Sequence, residues 1–233
     1  MKKTINILIV VCFLFVICIV GISFLKNNYD SGVNLSRESI DVFSKKIEVL
    51  IQNYQLEYFP LQNGEKAICI YEGAYDSDLT GDKFAIYKET LEKNIIFVNM
   101  LFVEVNTGNI YTWNEDNLVL IEGIGKEDIE LIDIFKYEKS QNLLLENINN
   151  DELLDNVIEV LVQNGFDDLK LLYDGTCDFI NRKYYVVSSF NDLKDHIIRE
   201  QTFYIDMENG YVYQADENDD YLRTELYYVG SFQ

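Results

Sequence analysis

Residues 202–216 read TFYIDMENGYVYQAD, and this stretch decides the fold. Every second residue over positions 203–207 is apolar, which is the period of a half-buried strand. Asn209 and Gly210 tolerate a positive φ, as a tight hairpin turn requires, and residues 211–213 begin a return strand. The stretch therefore predicts a β-hairpin.

The same pattern occurs 102 residues earlier, because residues 101–114 read LFVEVNTGNIYTWN and Gly108 aligns with Gly210. Upstream of each hairpin, IEVLIQN at residues 47–53 matches IEVLVQN at residues 158–164 at six of seven positions. These landmarks, in the same order, predict that the chain contains two copies of one unit.

Apolar residues at helical spacing precede each set of strands and predict one amphipathic helix per copy. The apolar face of the first helix is formed by Ile40, Phe43, Ile47, Leu50, Ile51 and Tyr54. The apolar face of the second helix is formed by Leu154, Val157, Ile158, Leu161 and Val162. We expect both faces to be buried against the strands that follow.

The predicted fold class is α+β: an N-terminal transmembrane helix followed by two repeated units, each a helix and an antiparallel meander. The predicted domains are an anchor or uncleaved signal (1–26), a tether (27–35), a first unit (36–123), a connecting segment (124–149) and a second unit (150–233).

The N-terminal segment has the length and polarity of a membrane anchor. Residues 7–25 contain no charged residue, Lys2 and Lys3 precede them and Lys26 follows. Such a run spans roughly 28 Å as a helix, about the thickness of a bilayer's hydrocarbon core. The flanking lysines predict a single-pass protein of the cell membrane, with a cytoplasmic N-terminus and an extracytoplasmic C-terminal domain. The rival reading is a signal peptide cleaved near residues 21–23.

The chain is strongly acidic. Its net charge is −21, and the residues after position 26 hold 16 basic and 40 acidic side chains, or −24. Such a surface repels nucleic acid, and it suits a basic partner or divalent cations. A solvated acidic surface without a dedicated partner is the alternative.

The sequence offers little material for covalent chemistry, and we expect no catalytic residue, cofactor or metal site. His196 is the only histidine and falls in a charged segment between strands. Cys69 and Cys177 are the only cysteines outside the apolar N-terminal run, and pairing or independent burial is possible for them. The acidic turns at 115–116 and 216–220 are explained either by weak ion binding or by solvation.

One helix followed by a meander with the hairpin pattern D-x-x-[NT]-G-x-[VI] resembles the PepSY family, a small extracytoplasmic module related in shape to cystatin-like folds. The likeness rests on the second helix and on residues 183–187, 203–206 and 209–212, whereas the first copy has Glu104 where the second has Asp206. The resemblance implies binding or regulation without chemistry, as in protease propeptides and membrane-anchored envelope proteins.

We therefore expect a non-catalytic, membrane-anchored extracytoplasmic protein that binds a protein or peptide partner in the envelope, with modulation of an envelope enzyme as one role. Strand edges and tyrosines supply the contacts, although sheet packing is the ordinary role of such tyrosines. The candidate partner-binding residues are Tyr184, Tyr204, Tyr211 and Tyr213. The alternatives are an immunity-type protein that neutralises a basic toxin and a carboxylate-based hydrolase.

Overall fold

The computed structural model describes residues 37–54, 56–76, 79–114, 117–134, 143–167, 169–193, 196–218 and 223–232. The helices are α1 (Arg37–Tyr54), α2 (Lys126–Leu131) and α3 (Asn150–Gln163). The strands are β1 (Lys66–Asp76), β2 (Thr80–Glu89), β3 (Ile95–Glu104), β4 (Asn109–Asn114), β5 (Asn117–Gly125), β6 (Lys170–Phe179), β7 (Arg182–Leu193), β8 (His196–Asp206), β9 (Tyr211–Asn218) and β10 (Arg223–Ser231). Residues Asp41–Gln233 form one compact unit, and every strand of the described ranges belongs to it.

The predicted α+β, cystatin-like class is wrong, because the protein is mostly antiparallel β-sheet. Of the 176 described residues, 96 lie in strands and 38 in helices. Long helix-free meanders follow both α1 and α3, and the ten strands join in one sheet. Two separate helix-plus-meander units are therefore replaced by one continuous sheet that carries a helix on each half.

The predicted anchor at residues 7–25 lies outside the described residues. None of the helices in the described ranges is long and apolar enough to cross a membrane. The longest, α1, has 18 residues, six of them charged, and charged side chains oppose insertion into a bilayer. The transmembrane helix in the predicted fold class is therefore wrong for the described residues, which contain no such helix.

In the first half (residues 41–134), α1 packs on one face of its meander and forms the first core. Strand alternation decides which side chains enter it. Phe84 and Ile86 of β2 belong to this core, while the intervening Ala85 and the following Tyr87 lie on the opposite face. The most deeply buried members of the first core are Ile47, Leu50, Ile51, Phe59, Cys69, Phe84, Ile86, Leu101, Ile110 and Ile129.

In the second half (residues 143–232), α3 packs in the same way and forms the second core. Asn149 caps the helix by accepting a hydrogen bond from the amide of Glu152 at 2.9 Å, which satisfies one of the free amides of the first turn. Gly165 follows the helix at φ +86°. The fully buried members of the second core are Leu153, Val157, Leu161, Val187, Phe203, Ile205 and Val212.

The two halves meet at β3, whose edge is shared between two partners. Leu101–Val103 of β3 pair with β4, whereas Ile95 pairs with Leu226 of β10. Side chains extend this short ladder: Glu225 accepts a hydrogen bond from the amide of Phe97 at 3.1 Å, and Asn94 accepts one from the amide of Tyr228 at 2.8 Å. The resulting strand order is β1-β2-β3-β10-β9-β8-β7-β6, with β4 and β5 branching from β3.

The sheet faces turned away from the helices form a third cluster, the junction core, between the halves. It is rich in aromatic rings, which pack edge to face. Its buried members are Ala85, Tyr87, Ile95, Phe97, Ile180, Tyr184, Tyr213 and Leu226. Because both halves contribute, they form one body rather than two independent domains.

Candidate functional site

The two ends of the sheet, β1 and β6, differ in how their outer edges are covered. At the β1 edge, the amide of Cys69 donates a hydrogen bond to Glu48 Oε1 at 3.0 Å. The amide of Ala67 donates to Gln52 Oε1 at 3.2 Å, and Gln52 Nε2 donates to the carbonyl of Glu65 at 2.9 Å. Side chains of α1 therefore take the place of a neighbouring strand.

The second half completes the closure of the β1 edge. Residues Ile180 and Asn181 form the β6–β7 turn, with φ +51° and +57°. The Asn181 side-chain amide donates a hydrogen bond to the carbonyl of Cys69 at 3.2 Å. Both backbone groups of Cys69 are thereby satisfied, and an added strand would find no free donor or acceptor at this residue.

At the β6 edge the arrangement is different. This strand pairs with β7 on one side and ends the sheet on the other. Within the described ranges, no hydrogen bond closes the outer edge between Leu171 and Phe179. Exposed and half-buried side chains alternate along the strand. An edge of this kind is a template for pairing with another chain.

The bulges show which residues of the two edges correspond. The β1–β2 register shifts between Tyr71 and Gly73, and the β6–β7 register shifts between Tyr173 and Gly175. Counting back from these bulges, Leu171 occupies the place of Cys69. We therefore assign the outward amide of this part of β6 to Leu171.

The two helices bury different faces, which explains why only one edge is closed. The IEVL segments are 111 residues apart. The buried positions are instead 110 apart, since Ile47, Leu50 and Ile51 correspond to Val157, Val160 and Leu161. A shift of one residue turns a helix by about 100°. The shared heptapeptide therefore faces a different direction in each half.

As a result, α3 carries apolar side chains at the positions where α1 carries its closing residues, Glu48 and Gln52, which hydrogen-bond to the β1 edge. The positions of Glu48 and Gln52 correspond to Ile158 and Val162, which are 37% and 53% exposed. The prediction that Ile158 and Val162 belong to the buried face is wrong for this reason. The equivalents of the closing residues in sequence, Glu159 and Gln163, are exposed and hydrogen-bond to each other at 3.2 Å.

The four candidate partner-binding tyrosines lie at the junction between the halves. Tyr184 and Tyr213 are 0% exposed, while Tyr204 and Tyr211 are half-buried against the junction core. The rings of Tyr184 and Tyr204 lie 5.7 Å apart edge to face. Lys93 of the first half donates a hydrogen bond to the Tyr211 hydroxyl at 2.6 Å. These tyrosines therefore join the halves of this chain.

A polar group is enclosed with these tyrosines. Arg182 donates to Glu89 Oε2 at 2.7 Å and to Asp206 Oδ2 at 3.3 Å, so it links the two halves. Burial opposes the charge of the guanidinium, but Tyr184, Glu89 and Asp206 raise the pKa of Arg182 above its ordinary value. Burial also raises the pKa of Tyr184 and of Tyr213. Arg182, Tyr184 and Tyr213 therefore keep one protonation state around neutral pH.

The D-x-x-N-G motif of the second hairpin has a structural role. Asp206, which is fully buried, accepts hydrogen bonds from the amide of Glu208 at 2.8 Å and from the Asn209 side chain at 2.9 Å. Gly210 has φ +71°, as the predicted turn requires. The motif therefore shapes the turn and positions the Asp206 carboxylate, which accepts a hydrogen bond from Arg182.

The remaining candidates do not assemble into a reactive centre in the described residues. Cys69 and Cys177 are free, and burial raises the pKa of both thiols. His196 opens β8 opposite Leu193. In the described ranges, no group of three or more histidine, cysteine, aspartate or glutamate side chains is placed to hold a metal ion. Residues 115–116 and 219–220 of the acidic turns lie outside the described residues.

No protein-family model, curated protein or solved structure matches this chain.

Proposed function

We propose that the protein is a non-catalytic binding module that takes an extended segment of a partner protein as an added strand on the β6 edge. The observation that carries the proposal is the contrast between a β1 edge closed by side chains and a β6 edge that the described residues leave uncovered. In strand addition the main chain supplies the affinity and alternate side chains supply the specificity.

The charge of the chain favours a basic segment as the partner. The net charge is −21, and Asp178 of β6 is exposed. Opposite charges across the interface speed association, and the attraction between them weakens as salt is added. The proposed binding is therefore salt-dependent. The acidic charge supports a basic partner, but the binding site itself is the β6 edge.

The proposed role requires no covalent step. The tyrosines with raised pKa values are enclosed at the junction of the halves, where they support the body of the protein. The β6 edge is presented from that body, and a rigid scaffold limits the entropy lost on binding.

The test is to select peptides of about ten residues, the length of β6, against the immobilised full chain and to measure amide hydrogen exchange with a selected peptide bound. We expect slower exchange at the outward amides of β6, including that of Leu171. Selected peptides that protect no β6 amide, or a failure to select any peptide, would overturn the proposal.

A backbone variant sharpens the same test. Leu171→Pro removes the outward donor assigned to β6, and we expect it to weaken peptide binding at least about tenfold. The matched control is Leu172→Pro, whose amide belongs to the ladder with β7, so that it disturbs the fold instead. Undiminished binding by a folded Leu171→Pro variant would count against strand addition.

A further inference from the structure

We infer that the segment bound at the β6 edge alternates apolar and basic side chains, with the apolar ones directed at Ile158 and Val162 of α3. The inference rests on the proposed function, because it specifies the occupant of the same edge. It follows from the rotation of α3 relative to α1 and from the charge of the chain.

The geometry of the first half shows what lies next to such an edge. Glu48 and Gln52 of α1 reach the backbone of Cys69 and Ala67 at 3.0 and 3.2 Å. Their positions on the helix are therefore those that overlook the outer edge of the strand. On α3 these positions are occupied by Ile158 and Val162, so that the β6 edge has an apolar wall along its helix side.

Neither apolar side chain belongs to the second core. Ile158 and Val162 are 37% and 53% exposed, although Leu153, Val157, Val160 and Leu161 of the same helix are buried. Side chains project alternately to the two faces of an added strand. Every second residue of that strand therefore meets α3, and covering Ile158 and Val162 removes apolar surface from water.

The remaining side chains of the bound strand are expected to be Lys or Arg. They complement the net charge of the chain, −21, which favours basic groups on the face of the added strand that points away from α3. A second copy of this chain is a poor occupant, since two chains that each carry a net charge of −21 repel each other.

The test uses two synthetic repeat peptides of about ten residues, one alternating Val and Lys and the other alternating Thr and Lys. They match in charge, shape and strand propensity, so that they differ chiefly in apolar character. We expect the Val-Lys peptide to bind the full chain at least about tenfold more tightly and to slow exchange of the β6 amides. Equal affinities, or binding by neither peptide, would overturn the inference.

The matched variant transplants the closing residues of α1 onto α3. Ile158→Glu combined with Val162→Gln places the first-half side chains beside β6, and we expect the preference for Val-Lys over Thr-Lys to disappear. The control, Ile158→Leu with Val162→Ile, should retain it. Should the transplant misfold, Ile158→Ala with Val162→Ala tests the same apolar contact, and an unchanged preference in any folded variant without the apolar pair would overturn the inference.

The outcomes separate the two proposals. If library peptides protect the β6 amides but show no preference for apolar side chains, strand addition still holds and the proposed contact with Ile158 and Val162 of α3 is overturned. Library peptides that fail to protect β6 would overturn the proposed function itself. Self-association of the wild-type chain that the transplant abolishes, measured by sedimentation, would identify a second copy as the occupant and overturn the basic peptide.

Discussion

The two halves carry nearly the same heptapeptide on their helices, yet they use it differently. In α1 the first isoleucine of the segment, Ile47, is fully buried and the adjacent Glu48 closes the β1 edge. In α3 the matching isoleucine, Ile158, is exposed and the matching Glu159 bonds only to Gln163 in the described contacts. The difference teaches that the rotation of a helix, set by the whole apolar stripe, decides the role of each residue in a shared segment.

The rotation follows from the neighbours of the heptapeptide. In α3, Leu153 and Val157 continue the stripe that ends in Val160 and Leu161. Burying that stripe turns Ile158 outward. In α1 the preceding turns place Ser44 and Ile47 on the buried side instead, so that Glu48 comes to lie at the rim of the core, within reach of the strand.

The largest expected effect is the difference between two isoleucines of the same motif. Ile47→Ala should lower the free energy of unfolding by about 3 kcal/mol, because it opens a cavity in the first core. Ile158→Ala should lower it by less than about 1 kcal/mol, since its side chain is already partly in water. Urea unfolding of both variants measures this, and equal losses would contradict the assigned rotation.

The next effect concerns the link between the halves. Arg182→Met should destabilise the chain by about 2 kcal/mol, because it leaves the fully buried Asp206 without its cation. The control is Arg223→Met, which breaks the pair with Glu72 that joins the halves at a more exposed place. Thermal unfolding compares them, and a larger loss for Arg223→Met would show that Asp206 does not depend on Arg182.

A smaller effect is expected at the closed edge. Glu48→Ala should cost about 1.5 kcal/mol and should speed hydrogen exchange at the amide of Cys69, because the charge-assisted hydrogen bond is lost. Glu159→Ala, its counterpart in sequence, should stay within about 0.5 kcal/mol of the wild type. If exchange at Cys69 is unchanged in Glu48→Ala, another group closes the β1 edge.

The smallest effect is expected where the halves are alike. Gly108 and Gly210 have φ +72° and +71°, and an added Cβ would meet Lys126 Cβ at 3.2 Å and Phe232 Cβ at 3.3 Å, respectively. Alanine at either position should therefore cost about 1 kcal/mol. Equilibrium unfolding should give similar losses for the two variants. A clear inequality would show that the hairpins are held differently.

Local patterns in the sequence predicted many of the elements. The hairpin at Gly210 and the strands around it follow from alternation and turn chemistry, which depend on neighbours in the chain. The centre of the apolar face of α1 was predicted for the same reason, since Ile47, Leu50 and Ile51 are buried, but Tyr54, assigned to the same face, is 60% exposed. The face of α3 was misjudged because the helical spacing of apolar residues includes Ile158 and Val162, whereas the buried residues of the helix are Leu153, Val157, Val160 and Leu161.

The candidate site was less accessible to the sequence. Tyr184 and Tyr213 were expected at a partner surface, but the second sheet face that encloses them comes from residues about a hundred positions away. The closing residues Glu48, Gln52 and Asn181 were missed for a similar reason. The sequence held only a weak signal for Glu48 and Gln52: they lie four residues apart, and each directly follows a buried isoleucine of α1.

By itself, the sequence determined the acidic charge, the hairpin at Asn209–Gly210 and the presence of an amphipathic helix before each set of strands, since these depend on composition and on residues close in the chain. Only the tertiary structure decided that the ten strands form one sheet, that the tyrosines are enclosed, and that β1 is covered while β6 is left uncovered among the described residues. Those outcomes depend on contacts between distant segments and on the rotation of each helix about its axis, where one residue of shift exchanges a hydrogen-bonding side chain for an apolar one.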